Sequence, residues 1–77
     1  MNAFRRKELQ RAIELIEQAS EIIDNVMNDE QEALDNMPES LQYSERGEAM
    51  QEAIDNLSYL DSDFESLIES IQEVIEA

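Results

Sequence analysis

What this 77-residue chain lacks narrows its chemistry before any pattern is sought. It contains no cysteine, no histidine and no tryptophan. Without cysteine there is neither a disulfide nor a thiolate nucleophile, and the redox compartment is left open. Without histidine there is no imidazole to act as general base or metal ligand near neutral pH. Gly47 is the only glycine and Pro38 the only proline, so the chain has turn chemistry at one place, near its middle. No apolar run approaches the roughly 18 residues that a membrane span requires. Met1–Arg11 has no apolar stretch of the signal-peptide kind. A soluble, cytoplasmic protein of a single domain is expected.

What the chain has in excess is negative charge. Twenty acids face five bases, a net −15 at pH 7. Arg5, Arg6, Lys7 and Arg11 crowd the first eleven positions; beyond them nineteen acids stand against Arg46 alone, a net −18. Such a field repels nucleic acid and anionic membrane and draws in basic protein surfaces. High acidity can accompany disorder, but 42% of the residues are hydrophobic and they recur too regularly for that.

The recurrence is helical. Leu9, Ile13, Ile16, Ile23, Met27, Leu34 and Met37 share one alternating three-and-four register, interrupted by Ser20 and Glu30. A neighbouring register takes Ala12, Ile16, Ala19, Ile23, Val26, Ala33 and Met37. After the joint, Met50, Ile54, Leu57, Phe64, Ile68, Ile71 and Ile75 form a register broken only by Asp61, with Ala53, Leu60, Leu67 and Val74 beside it. Each stretch therefore carries a broad apolar face. Between them, Pro38 lacks an amide and disfavours helical geometry at Met37. Ser44 is placed to cap the next helix, with Glu45 and Glu48 suited to its positive end. The spacing predicts helices over about 4–37 and 44–76, joined by a loop at 38–43 with room for one helical turn. Ser62 and Glu65 have capping-box spacing, yet the apolar register runs through Leu57, Leu60 and Phe64 without a phase change, which predicts a continuous second helix. A loop this short folds the helices back antiparallel.

The fold class expected is all-α: an antiparallel two-helix hairpin that dimerises into a four-helix bundle. A lone hairpin buries one stripe per helix, and the second stripe would leave Ile16, Ile23, Leu60, Leu67 and Val74 partly in water. Pairing two hairpins covers both stripes. The charge of the pair is held mainly on outer faces, where salt screens it over about 8–10 Å.

Several clusters invite a chemical reading. Glu14, Glu17, Glu21 and Asp24 recur at helical spacing, as do Glu65, Glu69, Glu73 and Glu76. Di-metal bundles need a histidine three residues after an inward glutamate, and calcium loops need a glycine turn that Asp61-Ser62-Asp63 lacks. Solvated helix faces account for these acids. No serine has a base to activate it. No catalytic residue, metal ligand or cofactor site is expected, and the chain is read as a non-enzyme. Arg5, Arg6, Lys7 and Arg11 would lie beside Glu69, Glu73 and Glu76 in an antiparallel hairpin and pair with them weakly. With Arg46 they form an alternative anion patch for a nucleotide. Tyr43 and Arg46 in the loop have the character of interface contacts, or else Tyr43 packs over the bundle end while Arg46 pairs with Glu45 or Glu48.

The stretch Asn36-Met-Pro-Glu-Ser-Leu-Gln-Tyr-Ser-Glu-Arg-Gly-Glu48, continuing into Ala49–Leu57, resembles short acidic helical proteins of bacteriophages and prophages, especially those of Firmicutes. These share a Pro-Glu-Ser/Asn-Leu-Gln-x-Ser-Glu-Arg joint before an acidic helix. The likeness covers about a third of the chain and brings no site residues with it. It implies a phage setting in the cytoplasm of a bacterial host, in which small acidic proteins often disable host defences. The function expected is an accessory binding protein that inhibits or redirects a host protein with a basic surface. Glu14, Glu17, Glu21, Glu45, Glu48, Glu52 and Asp55 would stand in for phosphates. The alternatives are a nucleotide sponge that uses the basic residues and Tyr43, and a structural part of virion assembly.

Overall fold

The computed structural model describes residues 1–77 and is helical nearly throughout. Helix α1 spans Ala3–Asp35, a single turn α2 spans Glu39–Gln42, and α3 spans Glu45–Glu76. Asn2 caps α1 through its side-chain oxygen, which accepts from the Arg5 amide at 2.9 Å. The sequence reading did not single out this cap. α1 stops at Asp35, two residues short of the expected Met37, because the residue before a proline is pushed out of helical geometry. The Met37 amide bonds back to the Leu34 carbonyl instead, at 3.1 Å. Pro38 then opens α2, accepting from the Leu41 and Gln42 amides. The Gln42 side chain ties the corner together by donating to the Met37 carbonyl at 3.0 Å. Ser44 caps α3, its hydroxyl oxygen accepting from the Gly47 amide at 3.3 Å. α3 runs through Asp61-Ser62-Asp63 without interruption.

α1 and α3 pack along their length as an antiparallel pair. Written as heptads, the a positions of α1 are Ile13, Ser20, Met27 and Leu34, and its d positions are Leu9, Ile16, Ile23, Glu30 and Met37. In α3 the a positions are Gly47, Ile54, Asp61, Ile68 and Ile75, and the d positions are Met50, Leu57, Phe64 and Ile71. All of these are buried or half-buried. Full burial is confined to Ile13, Leu34, Gly47 and Ile54, so the seam is one side chain deep. Gly47 has no positive φ. Its role is space: a Cβ there would overlap the Gln42 carbonyl and come within 2.7 Å of the Leu41 oxygen, so the missing side chain lets α2 press on α3. No helix is long and apolar enough to cross a membrane.

Candidate functional site

An antiparallel helix pair has two flanks. The e positions of both helices edge one side of the seam and the g positions edge the other. On the e side an open notch of about 390 Å³ is lined by Glu17 and Ser20 from α1 and by Asp61, Phe64, Glu65, Ile68, Glu69 and Gln72 from α3. The b positions lie just outside the e positions around each helix. Together these rows hold Glu14, Glu17, Glu21, Asp24 and Asp35 of α1 and Glu48, Asp55, Glu65, Glu69 and Glu76 of α3, ten of the chain's 20 acids. The g and c rows hold Glu8, Asp29 and Asp63 only, and are otherwise dominated by Ala, Leu, Ile and Val. The hairpin is thus acidic on one flank and apolar on the other.

Within the acidic flank, Asp24 and Asp61 meet across the seam beside Ser20. Both are half-buried, and one carboxylate oxygen of each is shielded from water with no hydrogen-bond partner. With both groups ionised, neither can donate. One proton on Asp61 lets it donate to Asp24, and that bond, with partial desolvation and repulsion from Asp24, raises the Asp61 carboxyl above its ordinary value.

The expected phosphate-like acids Glu14, Glu17, Glu21, Glu45, Glu48, Glu52 and Asp55 are all exposed. Five of them, Glu14, Glu17, Glu21, Glu48 and Asp55, share the acidic flank. Glu45 and Glu52 lie on the back of α3, in the row farthest from the seam. Glu65 and Glu69 were not chosen from the sequence, although their e and b positions place them at the notch. Asp24 was noted only as part of a solvated row, and its burial depends on where the partner helix lies.

The basic cluster departs from expectation. Arg5, Arg6, Lys7 and Arg11 do not pair with Glu69, Glu73 or Glu76. The ion pair present is Arg11 with Glu8, one turn apart on α1 at 3.7 Å, with both side chains exposed. Long side chains at an open helix end lose more freedom by reaching across than such a contact returns. Arg46 likewise makes no ion pair with Glu45 or Glu48. Tyr43 does not pack over the bundle end: it is 78% exposed, the most open of the large hydrophobic side chains. Tyr43 and Arg46 sit at the corner, and the N-terminal cluster sits at the opposite end of a molecule 59 Å long, so one chain does not bring them together. No family model, curated protein or solved structure matches the chain.

Proposed function

We propose that this chain is a phage-type accessory binding protein that inhibits or redirects a host defence protein by laying its acidic flank against a basic nucleic-acid groove. The observation that carries this reading is the gathering of ten carboxylates on one flank while the other is left almost free of acids. Carboxylates facing the same way sum their fields, and a summed field steers a basic partner from a distance and speeds encounter. Ten charges along a helix of roughly 50 Å amount to about one per 5 Å. That is sparser than the one per roughly 1.7 Å of duplex DNA and nearer the 3.4 Å of one strand, so a groove that holds a single strand is the better match. Tyr43 and Arg46, exposed at the corner, add a contact point of the kind that anchors interfaces. The working form is a homodimer in the host cytoplasm, with the acidic flanks outward.

Capture of host proteins on the immobilised chain tests this. Nucleic-acid-binding proteins should be retained at 50 mM NaCl, released at 500 mM, and displaced by added single-stranded DNA or RNA. The combined variant Glu17→Lys, Glu21→Lys, Glu48→Lys and Asp55→Lys should weaken retention at least tenfold. Capture that is indifferent to salt and to the competitor would rule out the mimicry.

A further inference from the structure

The flank opposite the acids is where the hairpin is unfinished. Leu15, Ile22 and Val26 of α1 are 55%, 63% and 52% exposed, and Leu67 and Val74 of α3 are each 48% exposed. All lie in the g rows, which face each other across an antiparallel seam, or in the adjoining c row of α1. Between them come Ala12, Ala19, Ala33 and Ala53, small enough to let another helix approach closely. The charge pattern points the same way. In a chain with 20 acids, neither g row contains one, and the only charges there are Arg5 and Arg46 at opposite ends. A copy with net charge −15 could approach along the g rows without meeting a carboxylate, since Glu8, Asp29 and Asp63 lie in the outer c rows.

Area decides what fits. The chain exposes 5864 Å², whereas a compact monomer of its 8.9 kDa would expose about 4,800 Å². The surplus, roughly 1,000 Å², is close to the ~800 Å² that each partner gives up in a standard interface. We infer that a second copy of this chain seats on the flank carrying Leu15, Ile22, Val26, Leu67 and Val74, flank against flank, closing a four-helix bundle with the two acidic notches on its outer sides. This rests on the homodimer proposed above and assigns its face.

Because the chain has no native cysteine, single thiols report the face without disturbing it. Ile22→Cys and Val26→Cys should be alkylated at least tenfold more slowly at 100 µM than at 0.1 µM protein, while Ser58→Cys, on the acidic flank, keeps one rate throughout. Ile22→Glu with Leu67→Glu should sediment at 8.9 kDa where the wild type sediments at twice that mass, with its helical circular dichroism retained. Equal protection at Ser58→Cys and Ile22→Cys, or a wild type that stays at 8.9 kDa at 100 µM, overturns the assignment. Neither outcome depends on the host protein, so failure here is separable from failure of the proposed function.

Discussion

Asp61 occupies a seam position where every neighbouring layer of α3 carries an apolar side chain, and it faces Asp24 rather than a base. Its carboxyl is raised above 3.8 because the protonated form can donate to Asp24 while the ionised form is repelled and partly desolvated. The folded state therefore holds this proton more tightly than the unfolded chain does. The resulting stabilisation is full below 3.8 and is lost as pH rises through the folded value. The hairpin should melt at higher temperature as pH falls from neutrality towards 3.8. Asp61→Asn, whose amide can donate at any pH, should raise the melting temperature at pH 7 and flatten that slope. Identical slopes for the two proteins would remove Asp61 from the explanation. Gly47 makes the opposite case, a residue kept for what it lacks. Gly47→Ala gains about 1 kcal/mol of helix propensity, but its methyl group meets the backbone of Gln42 and Leu41, an overpacking that costs about 1–3 kcal/mol. A net loss of about 1 kcal/mol is expected, read as a melting temperature lower by about 4–8 °C; an unchanged melting temperature would mean that α2 yields freely.

At the scale of elements, the helices were legible because one apolar register per helix became the seam. The apolar residues of those registers, from Leu9 to Met37 and from Met50 to Ile75, were aligned by spacing alone, and each of them is buried or half-buried. The continuity of α3 through Asp61-Ser62-Asp63 was legible for the same reason. What spacing could not separate was the outcome of the neighbouring registers. Ile16 and Ile23 belong to both registers and end half-buried, whereas Leu15 and Ile22 belong to neither and end exposed. Only the antiparallel pairing fixes which row faces outward, and with it the division into an acidic and an apolar flank. Ion pairs of the N-terminal cluster were illegible because contacts worth under about 1 kcal/mol do not constrain a sequence. The joint, by contrast, was written in single residues. Ser44→Ala removes the acceptor for the Gly47 amide and should cost about 1 kcal/mol. No loss of stability in that variant would show that the corner bonds of Gln42 suffice.

The whole molecule is a thin rod. Its radius of gyration is 17.6 Å, against about 11.5 Å for a compact domain of this length. Three fully buried apolar side chains, Ile13, Leu34 and Ile54, are few to offset the ordering of a chain this long. Like charge adds to the difficulty, since a net −15 opposes both folding and association until salt screens it. The melting temperature should accordingly rise between 20 and 300 mM NaCl, and a fall over that range would mean that attractive pairs outweigh repulsion.

On the proposed pairing, a lone hairpin is already helical at low temperature and association adds to its stability by mass action. Thermal melts followed by circular dichroism over a thousandfold range of protein concentration test this most directly. The melting temperature should climb steadily with concentration as dilution takes away the second hairpin. A melting temperature that stays constant from 0.1 to 100 µM would show a hairpin that stands alone, with its apolar flank left to water.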